Sequence, residues 1–442
     1  MSSVVAGPPP QPVVVLVAAG TDVVHKPFVL GDAPLLVGRV GAVGDGVELD
    51  DDRVSRQHAS IERRNRQWVI RDLGSRNGTF LDGERLAGDS QASGDRVLRV
   101  GHSVLLLLED GRGHDTPPMD EDGAVVGPEL ARIYEEVRRH AAAPTLLIHG
   151  ESGSGKELAA RLYHDAGPRA NGPFVAVNCA AIPEGVAERL LFGAKKGAFS
   201  GATDAVGYVQ SADGGTLFLD EVAELDAAVQ AKLLRVLETR EVIPVGAAAG
   251  VKVDVGIVAA THRDLRVAVA ERRFRDDLYY RMARPACVLP ALRARRADIP
   301  RIVAREIASV DRKLAPHSKL IETCCARPWP GNVRELRHAV HEAAGAAQAA
   351  GRDVVRPEDL PARAGLPVRE RAPGMTTQSR SSAPPQPAPA PPTEITREQV
   401  TKALAAAGGN VSAAARALGL HRTQLYRMME RFGIGKDPSS TG

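Results

Sequence analysis

The chain has 442 residues, 43% of them apolar and 25% charged, with a formal net charge of +3. That length allows two or three domains with real cores, and so small a charge points to no partner by itself. The longest apolar runs, "VVVLVAA" at 13–19 and "VLLLL" at 104–108, fall far short of the roughly 18 residues of a helical membrane span. No membrane partner is expected. "GPPPQP" before the first run, without a basic N-terminal region, argues against a secretory signal, and a cytoplasmic location is expected. Cys179, Cys287, Cys324 and Cys325 show no C-x-x-C spacing, so reduced thiols are expected rather than a zinc site or a disulfide framework.

In chain order, residues 13–110 carry short apolar runs such as "PLLVG", "WVIRDL" and "RVLRVG", separated by the turn signals "DG", "NG" and "DGE". This pattern predicts a small β-sandwich. Within it, "LLVGR", "VSRQHASI" and "WVIRDLGSRNGTFLDGERL" resemble the forkhead-associated (FHA) domain, which binds phosphothreonine peptides. The resemblance assigns Arg39 and Ser55 to the phosphate, with Arg56 assisting, and Asn77 to the peptide main chain; Gly38, His58 and Gly78 are architectural. A guanidinium, a hydroxyl and an amide are the donors that a dianionic phosphate and a peptide backbone require. The implied partner is a phosphothreonine-bearing protein, such as a Ser/Thr kinase.

Residues 111–123, "GRGHDTPPMDEDG", read as a linker. From 124 to 291, β-branched runs ("TLLIHG", "FVAVN", "GTLFLDE", "VDVGIVAAT") alternate with helical segments such as "AVQAKLLRVLE", which predicts a parallel α/β sheet. In "TLLIHGESGSGKE", 145–157, a strand runs into a Gly-rich loop that opens a helix. Gly150, Gly153 and Gly155, with Glu151, Ser152 and Ser154 between them, let backbone N–H groups curl around phosphate oxygens, and Lys156 adds a point charge. Glu157 stands where most such loops offer a Ser or Thr hydroxyl to Mg2+, so the metal must be held otherwise. "GGTLFLDE" supplies a strand ending in Asp220, suited to Mg2+, and Glu221, suited to polarising the attacking water. ATP and Mg2+ are the expected cofactors. After Ala291 the strand signal vanishes, and 292–362 is expected to be a helical lid.

Across about 124–362, "GESGSGKE", "NCAAIPE", "LLFGAKKGAFSGA", "GGTLFLDE", "QAKLLRVLE", "AATHRDL", "FRDDLYYR" and "WPGNVREL" resemble the AAA+ domain of sigma-54-dependent transcriptional activators, the bacterial enhancer-binding proteins. The resemblance implies a hexameric ring ATPase with its site between subunits, acting on the sigma-54 RNA polymerase holoenzyme. It makes Asn178 the residue that couples Glu221 to the surface loops, and places Thr261 and His262 at the sensor I position, where Asn is commoner than His. Arg275 and Arg281 match arginine fingers, and Arg334 matches sensor II. "GAFSGA", Gly197, Ala198, Phe199, Ser200, Gly201 and Ala202, matches the family's "GAFTGA", the loop that contacts sigma-54. Glycines permit a mobile tip and the phenylalanine an aromatic anchor.

Residues 363–393, including "SSAPPQPAPAPPT", predict an extended, semi-rigid spacer. Segment 394–434 reads as three short helices broken at "AGGN" and "LGLH", and "GGNVSAAARALGLHRTQLYRMMERFGI" resembles the Fis-like helix-turn-helix that closes these activators. The resemblance implies enhancer-DNA binding, with the second helix in the major groove. Ala413, Ala414 and Leu418 suit close packing, Gly419 the turn, and Leu425 and Met428 the inner face. Arg422, Thr423, Gln424 and Arg427 fall on the expected outer face. From Glu394 to Gly442, seven Lys/Arg stand against four Asp/Glu, in keeping with a phosphate backbone. The expected whole is an N-terminal β-sandwich, a central α/β P-loop AAA+ domain with a helical lid, and an all-α helix-turn-helix. Two other readings remain: an AAA+ remodelling ATPase acting on another protein, and a DNA-binding regulator whose ring does not hydrolyse ATP.

Overall fold

A computed structural model describes residues 11–183, 185–198, 203–367, 396–408, 410–418, 420 and 422–434. The chain forms two compact units, 1–369 and 370–442. No helix among the described residues is long and apolar enough to cross a membrane.

The first unit opens with two sheets face to face, one of six strands and one of five. Side chains alternate along a strand, so Val14, Leu16, Leu98, Leu105 and Leu107 meet Val37, Ile61, Trp68 and Ile70 inside the sandwich. The other face of the six-stranded sheet is also buried. Val13, Val15, Val17, Val97, Val104, Leu106 and Leu108 share one core with Ile299, Ile302, Ile307, Leu320, Ile321 and Trp329 of the helical lid. Double-sided burial explains why residues 13–19 and 104–108 are apolar throughout instead of alternating with polar residues. The sandwich is thus fused to the lid.

Residues 111–123, expected to be a linker, are mostly exposed, with local anchoring points. His114 is buried, and Met119–Glu121 pairs antiparallel with Ala124–Val126. The central sheet is parallel, in the order Phe174–Asn178, Thr216–Asp220, Gly256–Thr261, Thr145–His149, Ala286–Val288. One face of helix Ala227–Thr239, through Val229, Leu233, Val236 and Leu237, is buried against it. The lid carries helices Ile299–Val310, Ser318–Ala326 and Asn332–Ala349. It also contains a short parallel pairing of Ala315–Pro316 with Val354–Val355, two residues per strand and too brief to leave a sequence signal.

In the second unit, helices Arg397–Ala406, Val411–Ala417 and Arg422–Arg431 close around Val400, Val411, Ala414, Ala415, Leu425 and Met429. Met429 is buried where Met428 was expected to be; Met428 packs at the margin. Gly419 lies outside the described residues.

Candidate functional site

Open parallel sheets place ligands beyond the carboxyl ends of their strands, and here three strand ends converge. Thr145–His149 runs into the Gly-rich loop, whose Gly153 and Gly155 have φ of +74° and +108°, backbone that L side chains avoid. Helix Lys156–Ala166 begins directly after it, so its first N–H groups face the loop. Lys156 Nζ donates to Gly150 O at 3.1 Å and lies 3.4 Å from Glu221 Oε1. Thr216–Asp220 delivers Asp220 and Glu221. Gly256–Thr261 delivers buried Thr261, whose carbonyl accepts from Gly150 N at 3.1 Å.

Glu221 sits in left-handed backbone, φ +53°, and its Oε2 lies 2.7 Å from His262 Nδ1. Burial pushes this carboxyl up, but the His262 hydrogen bond and the Lys156 charge outweigh it and hold the group below the usual glutamate value. Asp220 goes the other way: burial raises it, Lys156 only partly offsets this, and the Glu221 charge adds to it. Two adjacent carboxylates are thereby pushed apart, a pattern of functional sites.

A cavity of about 870 Å³ joins these groups to the lid. The loop residues Ser152, Gly153, Ser154, Gly155, Lys156 and Glu157 line it with Asn178, Asp220, Glu221 and Arg334. Arg334 Nη1 reaches Ser152 Oγ at 3.4 Å. Glu151 is turned to the lid, where its bidentate pairing with Arg293, at 2.6 and 2.8 Å, pulls its carboxyl down to about 2. Asn178 lines the cavity, yet its Oδ1 caps the short helix Cys179–Ala181 by accepting from Ala180 N at 3.0 Å.

Arg275 and Arg281 are not among the residues lining the cavity. Exposed Arg275 grips Asp277 through Nε and Nη2 at 3.0 and 2.7 Å. Arg281 Nη2 reaches Leu237 O at 3.4 Å. Gly197 and Ala198 are described, but Phe199, Ser200, Gly201 and Ala202 lie outside the described residues. So do the side chains of Arg422, Thr423, Gln424 and Arg427, although their backbone belongs to the third helix of the second unit.

A second site lies at the loop end of the sandwich. Arg39 Nε and Nη2 donate to Val54 O at 3.0 and 2.9 Å, and Nη2 also to Asp52 O at 3.0 Å. Ser55 Oγ accepts from Arg76 N at 3.2 Å, and Asn77 Nδ2 donates to Arg53 O at 2.7 Å. Three loops, carrying Arg39, Ser55 and Asn77, are thus tied together, with the Arg56 side chain exposed beside them. The architectural residues act from below. Buried His58 accepts from Ser55 N at Nδ1 and faces Gly78 O at Nε2. A Cβ on Gly38 would come within 2.0 Å of Arg56 O.

Sequence reasoning missed Arg293, Arg295 and Asn332, and the bond of His262 to Glu221. Asn332 stood in the quoted "WPGNVREL", where the Gly-Asn pair before a helix was the available signal for left-handed backbone.

Residues 125–286 match the family model of the sigma-54 interaction domain, 35–101 the FHA domain, 293–373 the AAA+ ATPase lid domain, and 392–432 the bacterial regulatory protein, Fis family. The Nif-specific regulatory protein of Rhodobacter capsulatus is 39% identical over 382 residues, covering 77% of this chain and 65% of its own length. The anaerobic nitric oxide reductase transcription regulator NorR of Klebsiella pneumoniae is 39% identical over 339 residues, covering 74% and 64%. The chain therefore spans just under two thirds of the length of these curated relatives. The structure of NtrX from Brucella abortus in complex with ATP is 31% identical, covers 71% of this chain and 70% of that one, and superposes with a TM-score of 0.51.

Proposed function

The chain belongs to the sigma-54-dependent transcriptional activators, and from that premise we propose that it hydrolyses ATP in a ring to open promoters held by sigma-54 polymerase. The observation that carries this reading is the grouping of Lys156, Asp220, Glu221 and His262 at adjoining strand ends beside the lid cavity. The Gly-rich loop and Lys156 bind the phosphates, and Glu221 holds and polarises the attacking water. The half-buried Asp220 carboxylate fits a hard divalent cation; bound Mg2+ would neutralise phosphate charge there. Arg275 and Arg281 do not line their own chain's cavity, which favours a site completed by a neighbouring subunit. Residues 197–202 are the proposed sigma-54 contact, and the second unit the enhancer-DNA reader. The FHA loops, through Arg39, Ser55, Arg56 and Asn77, bind a phosphothreonine protein whose state regulates a cytoplasmic activator. Open-complex formation on a sigma-54 promoter, with and without ATP, tests the reading; an ATP-independent or absent open complex defeats it.

A further inference from the structure

Three consecutive carbonyls of the Gly-rich loop are each held by a donor from the lid. Ser152 O accepts from Asn332 Nδ2 at 3.0 Å, Gly153 O from Val333 N at 3.1 Å, and Ser154 O from Arg295 Nη2 at 2.9 Å. In a trans peptide the carbonyl and the following N–H point in opposite directions. Pinning the carbonyls of Ser152 and Ser154 towards the lid therefore turns the N–H groups of Gly153 and Gly155 away from it, free to receive an anion. Gly153 allows the approach, since a Cβ there would meet Gly331 O at 2.3 Å.

Asn332 is the hub of this arrangement. It is fully buried with φ +53°, a backbone that Asn tolerates better than most residues. Its Oδ1 accepts from Leu292 N at 2.8 Å inside the lid, and its Nδ2 also donates to Glu151 Oε2 at 3.0 Å. One side chain thus divides its two ends between lid and loop.

The geometry points to Asn332 as a positioning residue that sets the phosphate-binding loop from the lid, so that nucleotide affinity depends on where the lid stands. This rests on the nucleotide reading of the cavity and deepens it. Arg295 and Val333 hold the neighbouring carbonyls in the same sense, and Arg334, two residues on, reaches Ser152 Oγ from the same helix.

The two ends of Asn332 can be tested separately in the full chain. Asn332→Asp keeps the acceptor for Leu292 N but sets an oxygen against Glu151 and Ser152 O. Binding of N-methylanthraniloyl-ATP, measured by fluorescence well below the unfolding midpoint, is expected to weaken about tenfold or more, and the buried carboxylate also lowers that midpoint. Adding Glu151→Gln, whose amide can donate to the new carboxylate, should recover part of the affinity. Asn332→Gly, which suits the left-handed backbone, should lose affinity and lid stability together. As a control, Ile321→Val loosens the lid core far from the loop and should leave affinity unchanged. Wild-type binding by Asn332→Asp, or an equal loss in Ile321→Val, overturns the inference. A wild-type chain that binds no nucleotide would instead remove the nucleotide reading itself.

Discussion

Arg99 of the β-sandwich and Glu322 of the lid form a buried ion pair, Nε to Oε2 at 2.6 Å, with side chains only 8% and 7% exposed. The guanidinium also stands 3.8 Å from the Phe80 ring centroid and donates to Gly101 O at 3.1 Å. The pair sits at the seam where both elements share one apolar core. Removing one partner of such a pair strands a charge and costs about 3–5 kcal/mol, whereas replacing both by apolar groups can be neutral.

Sandwich and lid are therefore expected to unfold as one. Trp68 is buried in the sandwich and Trp329 in the lid, and the chain has no other tryptophan. Followed in variants that each keep one of them, the two transitions should coincide, and Arg99→Ala should lower both together. Arg99→Met with Glu322→Leu should recover most of the loss. Separate midpoints for Trp68 and Trp329 would show that the shared core does not bind the two into one cooperative unit.

Much of this was legible in the residues, and the exceptions have a common cause. The P-loop and the carboxylate strand are local signals, with loop, helix start and acidic strand end read from short runs. The FHA loops were equally local. What was not read is what two distant segments make together. Arg99 and Glu322 are 223 residues apart, and no periodicity in either announces the other. The unbroken run "VVVLVAA" did carry a trace, because a half-exposed strand would alternate. His262 likewise reads as a variant at a known position, and only the fold shows its ring beside Glu221.

The catalytic pair should separate binding from turnover. Lys156→Ala removes the cation at the phosphates and is expected to abolish nucleotide binding. Glu221→Gln keeps the shape and the site while losing the base, so binding should persist and kcat fall by at least about a hundredfold. Turnover near wild type in Glu221→Gln would reassign the water-activating role. Arg275→Ala should also stop turnover, with partial recovery in rings mixed with Glu221→Gln subunits, whose Arg275 can serve the intact carboxylate of a neighbour. Absence of recovery would speak against a site shared between subunits.

A pH effect on stability should trace to Asp298. This carboxyl is fully buried, and burial lifts it from 3.8 to about 7 despite the opposing charge of Arg295, 3.4 Å away; Glu129 adds to the rise, while Gly127 N–H and His114 oppose it. A carboxyl raised in the folded state binds its proton more tightly there than in the unfolded chain. Its contribution to stability is therefore full below about pH 4, falls as pH climbs to about 7, and is level above. Urea midpoints at intervals across this window should show that downward component in the wild type and lose it in Asp298→Asn. A component that rises with pH, or one that persists in Asp298→Asn, would contradict the assignment.

The last prediction concerns the input and its route to the lid. Arg39 braces the loop that carries Ser55 by binding the Asp52 and Val54 carbonyls, so the residue assigned to the phosphate also shapes the pocket. Arg39→Ala removes a charge-assisted contact of about 1.5–3 kcal/mol to a dianion, roughly ten- to hundredfold in affinity. Arg39→Lys should recover little, since an ammonium cannot span two carbonyls in a planar fork. Ser55→Ala should cost less than either. The same loop contacts the lid side of the sandwich: Asp51 Oδ2 accepts from His102 N at 2.6 Å, and the His102 ring lies 5.4 Å from that of His317 at the start of a lid helix. A ligand can shift the lid only through different affinities for its positions. A bound phosphothreonine peptide is therefore expected to change ATP turnover in the wild type and to lose that effect in Arg39→Ala. Calorimetry with phosphorylated and unphosphorylated peptide libraries, paired with turnover assays, decides the matter. Equal binding of both libraries ends the phosphothreonine reading, whereas phosphate-dependent binding without any change in turnover leaves recognition intact and disconnects it from the lid.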